Sequence, residues 1–174
     1  RLAEILIEYG IKRTYAKNYV MLAQDGDITE VLFVVSGTAS SHTVLRDGTE
    51  IWGFDFGPGD FVGHAALLGR RPCRFEVRAN QALSVLSIPA ARFTAIIEEQ
   101  ARISSHVVTD LSTRLNHMSE RLIELTSLPA PARVCAELMR MARPIGVEDG
   151  KMIIRPSPVF TKIAKRVNST RETV

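Results

Sequence analysis

Only two cysteines, Cys73 and Cys135, occur in 174 residues, and no repeated spacing relates them. That leaves neither a disulfide framework nor a four-ligand zinc motif to read, and it fits a reducing compartment. No apolar run approaches the roughly 20 residues that a membrane-spanning helix requires. The first ten residues, 1 to 10, have neither the apolar stretch nor the cleavage pattern of a secretion signal. A soluble, cytoplasmic protein with no membrane partner is therefore expected. The chain starts at an arginine rather than a methionine and stops inside a helical motif, so both ends are expected to be trimmed.

What is present has globular proportions: 45% hydrophobic and 24% charged residues, enough for one sizeable core or two small ones. The net charge of +3 is unevenly spread. Residues 1–128 hold 13 basic against 15 acidic side chains, and residues 129–174 hold 9 against 4. A basic tail on a neutral domain is the footprint of a nucleic-acid-binding appendage, although charge alone is equally compatible with a solvated basic surface.

From Tyr15 to Ile88 short β-branched runs alternate with turn residues. "VLFVVSG" closes on Gly37, and "SSHTVLRDGTEIWGF" is two runs joined at Asp47-Gly48, a strong hairpin signal. "FEVRANQALSVLSI" predicts a further strand pair around Asn80. Strands at this spacing predict a small antiparallel barrel or sandwich. After Pro89 the pattern changes, since residues 90–128 contain neither glycine nor proline. Val108, Leu111, Leu115, Met118, Leu122 and Leu125 recur at spacings of three and four, a heptad seam. Such a seam needs a partner, either the chain's own barrel or the same helix of a second copy. The narrow stripe, flanked by Thr109, Asp110, Asn116, Glu120 and Arg121, favours a parallel homodimer.

"LPAPAR" then breaks the helix. Beyond it "ARVCAELMRMA" predicts an amphipathic helix and "GVEDGKMIIRP" a turn and a strand. "SPVFTKIAKRVN" predicts a helix capped by Ser157 with Pro158 in its first position. Ile163 and Val167 share one face of that helix, and Ala164 permits close packing. Asn168 tolerates a left-handed turn, and Ser169 or Thr170 caps a second helix. This is the layout of a helix-turn-helix, in which Arg171 and Glu172 would meet base edges while Lys162, Lys165 and Arg166 lie nearer the phosphates. A helical hairpin packed on another element has the same spacing.

This order of barrel, long helix, hinge, strand and helix-turn-helix resembles the Crp/Fnr family of bacterial transcription regulators over nearly the whole chain. The similarity is carried by "GPGDFVG" at 57–63, "VRA" at 77–79 and "RETV" at 171–174. It implies an α+β protein with three parts. A jelly-roll, cyclic-nucleotide-binding-like β-barrel spans residues 1–100, a dimerisation helix 101–128, and a winged helix-turn-helix, incomplete at its C-terminus, 129–174. It further implies an effector-controlled, non-enzymatic homodimer on two-fold-symmetric double-stranded DNA, with RNA polymerase as a partner. Asn168 stands where the family usually has a turn glycine, and Lys162 where glutamate is frequent. With its recognition helix ending at Val174, the chain is expected to bind DNA poorly by itself.

The resemblance also implies an effector pocket comprising Gly63, His64, Ala65, Ala66, Cys73 and Arg74, together with Ser119. Members that bind cyclic nucleotides use a glutamate for the ribose and an Arg-Ser or Arg-Thr pair for the phosphate, beside the N-terminus of a short helix. Gly63 and the "AALL" helix remain here. His64, however, occupies the glutamate position, and Cys73-Arg74 replaces the arginine pair. Arg74 faces away from the pocket unless the strand slips by one residue; Arg70 or Arg71 could reach in from the loop. Each missing charge-assisted hydrogen bond costs roughly 1.5 to 3 kcal/mol, so cyclic AMP is expected to bind weakly or not at all, and the effector is unassigned. His64 also matches the histidine that ligates haem in the carbon-monoxide-sensing branch, without that branch's neighbouring cysteine. An iron–sulfur cluster lacks its cysteines. Two further readings are a thiol enzyme built on His64, Cys73 and Asp60, without a recognisable oxyanion pattern, and a cyclic-nucleotide module of a signalling protein, which has no use for "STRETV".

Overall fold

The computed structural model describes residues 2–142, 147–148, 150–155 and 157–174. It divides into two compact units, Arg1–Arg114 and Leu115–Val174. The first holds α1 (Leu2–Leu6) and eight strands: β1 (Ile11–Tyr15), β2 (Val20–Leu22), β3 (Glu30–Ser36), β4 (Ala39–Val44), β5 (Glu50–Phe56), β6 (Phe61–Val62), β7 (Glu76–Ala79) and β8 (Leu83–Pro89). They form two antiparallel four-stranded sheets, ordered β1-β8-β3-β6 and β2-β7-β4-β5, in a jelly-roll-like core.

The continuous apolar run in β3 has a physical reason. Leu32 and Val34 point into the layer between the sheets, with Val62, Val77 and Val85. Val31 and Phe33 point the other way, into a second layer with Leu6, Phe61, Phe93 and Ile103. A strand buried on both faces has no polar side to alternate. The second layer is closed by α1, by α3 (Ala90–Glu99) and by the start of α4 (Ala101–Ser127).

The Asp47-Gly48 hairpin joins β4 to β5, with Gly48 at φ 84 and the Thr49 amide donating to Asp47 Oδ1 at 2.9 Å. The expected strand pair around Asn80 is different in kind. β7 pairs with β2 and β4, and β8 pairs with β1 and β3, so the chain changes sheets between them. The Asn80 amide donates to the Thr38 carbonyl at this crossing. Next to it Gly37 (φ 87) has no space for a side chain, because a Cβ there would collide with the backbone of Ala82 and Leu83.

At 27 residues α4 is about 40 Å long. The hydroxyls of Thr109, Thr113, Ser119 and Thr126 each donate to the carbonyl four residues earlier. No helix among the described residues is long and apolar enough to cross a membrane.

The second unit contains the end of α4, α5 (Ala130–Ala142), the antiparallel pair β9 (Val147–Glu148) and β10 (Lys151–Met152), and α6 (Phe160–Arg166). Where one strand was expected there are two, turning at Gly150 (φ 72). Gly146, Asp149 and Pro156 of the same stretch lie outside the described residues. α5 begins at Ala130, with Pro131 tolerated in its first turn. α6 begins at Phe160, after Val159, without a side-chain cap, rather than at Ser157-Pro158. Its phase is set by burial: Ile163 and Val167 pack on Val134 of α5. Asn168 takes a left-handed φ of 48, as its residue type foretold. Thr170 Oγ1 then accepts from the Thr173 amide at 3.3 Å, an N-cap contact opening a turn at Arg171–Thr173.

Candidate functional site

The site begins at Gly63, whose left-handed φ of 90 turns the chain out of β6 into α2 (His64–Leu68). This turn drives the first side chain of α2 inward. His64 is 2% exposed and lies against the Phe61 ring, with ring centroids 5.9 Å apart. Its Nε2 is 2.9 Å from Oδ2 of Asp110 on α4. The contact is close but out of line for a hydrogen bond, and neither ring nitrogen has an aligned partner.

Asp110 also accepts from Arg114 Nε, one turn further along α4, at 2.8 Å. Burial pushes the Asp110 carboxyl up, but His64 and Arg114 outweigh it and hold it at about 2. The Arg114 guanidinium lies 4.7 Å from the Phe56 ring centre and 5.5 Å from that of Phe54, with Nη2 3.9 Å from Asp60. Asp60 accepts from the Gly57 amide at 2.7 Å, closing the "GPGD" turn.

These groups border a cavity of about 360 Å³. Gly63, His64, Ala65, Ala66, Cys73 and Arg74 all line it, beside Phe54, Phe56, Phe61, Phe75 and Arg114. Cys73 faces in and is buried, its thiol donating to the Phe75 carbonyl at 3.1 Å, and burial pushes the thiol up, away from thiolate chemistry. Arg74 is turned outward, 74% exposed, with Nη1 3.9 Å from Asp25. Arg71 borders the cavity from the loop and is exposed. The lining is drawn from residues 41–114, which does not include Ser119; the Ser119 hydroxyl is exposed and donates to the Leu115 carbonyl.

Two sequence-based readings of this region do not survive the geometry. His64 as a haem ligand would need a ring free to meet iron, whereas Nε2 is turned to Asp110 and the side chain is enclosed. The thiol enzyme would need His64, Cys73 and Asp60 to meet, whereas each has a separate partner: Asp110, the Phe75 carbonyl and the Gly57 amide.

The heptad seam divides. Leu111 packs on the core of its own unit, in line with the buried Ile103 and Val107. Val108, Leu115, Met118, Leu122 and Leu125 form an exposed stripe offset from that one, with Leu115 64% and Leu122 63% exposed. The helix thus carries two apolar stripes, where periodicity alone reads as one.

In the second unit Lys162, Lys165, Thr170, Arg171 and Glu172 are exposed and Ser169 is half-buried. Arg166 is placed differently: its Nη1 donates to Glu137 Oε1 at 2.9 Å. Glu137, 1% exposed on α5, also accepts from Arg121 of α4 at 3.2 Å and from Arg140. Burial pushes its carboxyl up, and the three guanidiniums more than reverse this, holding it below the usual range. A second feature that sequence reading missed is Arg133, which donates to the carbonyls of Leu128, Val167 and Asn168 and so pins the turn after α6. Neither feature has a local signal, because the partners come from separate helices.

Residues 12–100 match the model of the cyclic nucleotide-binding domain. The chain is 21% identical over 161 residues to a CRP-like cAMP-activated global transcriptional regulator of Mycobacterium tuberculosis, covering 92% of this chain and 72% of that protein. It is 25% identical over 158 residues to the cAMP-activated global transcriptional regulator CRP of Pasteurella multocida, covering 88% and 74%. Among solved structures, the c-di-GMP responsive global regulator CLP of Xanthomonas campestris superposes with a TM-score of 0.84 at 20% identity, covering 98% of this chain and 85% of that one.

Proposed function

We propose that this chain, which belongs to the cyclic nucleotide-binding domain family, is a transcription regulator of the CRP/FNR type that works as an effector-responsive homodimer on two-fold-symmetric DNA in the cytoplasm. Residues 1–100 receive the effector, 101–128 pair the subunits, and 129–174 bind DNA, with RNA polymerase as the downstream partner. Pairing uses the exposed stripe from Val108 to Leu125, whose spacing is that of a two-stranded coiled coil.

The observation that carries this reading is that one wall of the cavity belongs to the long helix itself. Arg114 lines the cavity, and Asp110 one turn earlier touches His64. A molecule entering there presses directly on the helix whose exposed stripe pairs the subunits, so occupancy and pairing share one helix. The pocket is degenerate for cyclic nucleotides. Its would-be ribose ligand is a histidine facing a carboxylate, and the arginine next to Cys73 points to solvent.

The test is fluorescence anisotropy of the full-length protein on a palindromic site selected from random DNA, combined with light scattering. A dimer that binds the palindrome much more tightly than a single half-site is expected; a monomer indifferent to the second half-site overturns the reading.

A further inference from the structure

The polar groups on the cavity wall are nearly all engaged. Ser41 Oγ accepts from the Phe54 amide at 2.8 Å, the Cys73 thiol donates to the Phe75 carbonyl, and Arg114 Nε donates to Asp110. Apart from Arg71, exposed in the loop at the border, the exception is His64, 2% exposed: its Nε2 faces Asp110, while Nδ1 has no hydrogen-bond partner. A buried polar group in that condition costs free energy until something meets it.

Charge argues in the same direction. The Arg114 guanidinium is matched by two carboxylates, Asp110 at 2.8 Å and Asp60 at 3.9 Å. The Arg74 side chain is exposed and beside Asp25. Arg71 stands exposed in the loop at the border, so an anion deep in the cavity, beside His64, would meet no uncompensated buried cation, and burying a phosphate there is strongly unfavourable. An aromatic ring meets the opposite reception, because Phe54, Phe56 and Phe75 offer edges and faces for stacking, with Phe54 and Phe75 already in an edge contact at 6.2 Å.

We propose that this cavity takes a small, uncharged aromatic molecule carrying one hydroxyl, its ring among the phenylalanines and its hydroxyl donating to Nδ1 of His64. The inference rests on the effector-responsive reading above and names the chemical class of that effector.

The probe is 2-naphthol, titrated calorimetrically into the full-length protein beside 2-naphthalenesulfonate and cyclic AMP. Saturable 2-naphthol binding at one site per chain is expected, with the two anions at least about ten-fold weaker. His64→Leu should weaken 2-naphthol by about ten-fold, and Ala66→Trp, which fills the cavity, should abolish its heat. Because either variant could fail to fold, the imidazole proton resonances of His64 are followed in the unaltered protein, where they should shift and saturate along the calorimetric curve. Tighter binding of cyclic AMP or the sulfonate overturns the proposal, as does 2-naphthol binding that leaves the His64 resonances unmoved. DNA affinity is measured in parallel. Palindrome binding without 2-naphthol binding overturns the effector class alone, whereas 2-naphthol binding with no palindrome preference supports the class and overturns the regulator reading.

Discussion

His64 on α2 and Asp110 on α4 stand 2.9 Å apart, nitrogen to carboxylate oxygen, and Asp110 also receives Arg114. The carboxyl is held at about 2, below its ordinary value of 3.8. A depressed carboxylate contributes stability that is present above the unfolded value and lost as pH falls through the folded one. Discounted for partial solvent access, that contribution is about 1 to 2 kcal/mol. Denaturant titrations of Asp110→Asn against the unaltered chain should show this difference at pH 6 and its disappearance towards pH 2. A difference that does not change with pH would place the effect of the substitution in packing.

Among the described residues of the second unit Glu137 is the single buried carboxylate, and it sits among Arg121, Arg140 and Arg166. Glu137→Leu leaves three guanidiniums without their shared acceptor and should cost about 3 to 5 kcal/mol. Differential scanning calorimetry should show the loss in the second unit's transition while the first unit's transition stays in place. An unchanged thermogram would mean the arginines find other acceptors.

Leu115→Asp together with Leu122→Asp places two carboxylates on the exposed stripe of α4. The substitutions should halve the mass seen by light scattering while circular dichroism is unchanged. A mass unaltered by both would assign subunit pairing to another surface.

Arg171→Ala should cost about 1 to 3 kcal/mol on the cognate palindrome and relax preference at one base pair of each half-site. Lys165→Ala should weaken cognate and scrambled DNA alike, making the salt dependence shallower by about one unit for each phosphate ion pair removed. Arg166→Ala should behave as a stability variant, given its bond to Glu137, with the salt slope unaltered. Equal losses on both DNAs for Arg171→Ala would mean that this residue positions the protein and reads no base.

Features that depend on neighbours in sequence were legible in advance. Asp47-Gly48 announced the β4–β5 hairpin because turn geometry is local, and Asn168 announced its left-handed turn for the same reason. The spacing of short β-branched runs and turn residues from Tyr15 to Ile88 likewise pointed to an antiparallel barrel or sandwich, and the family resemblance to a jelly roll. The pairing of β7 with β4 and of β8 with β3 was not legible, because strand partners are selected by which faces the sheets bury together. Nor was the partner of His64. Asp110 reads in sequence as a polar flank of the seam, and only the fold brings α4 across the cavity wall. Glu137 reads as one more charge on an amphipathic helix until α4, α5 and α6 converge on it.

The hydroxyls of α4 have a mechanical consequence. Thr109, Thr113, Ser119 and Thr126 each clasp a carbonyl of the preceding turn, so their donors are saturated within the helix. Side chains that fold back in this way loosen the ladder they join and favour gentle curvature. Ser119 and Thr126, bordering the exposed stripe, thus offer little directional grip, and on the pairing proposed above a second helix would be aligned chiefly by the shapes of Leu115, Met118 and Leu122. Shape is a coarse ruler: it resists separation far more strongly than it resists sliding or rolling. A pair of helices joined through such a surface would tolerate small rolls rather than lock one arrangement.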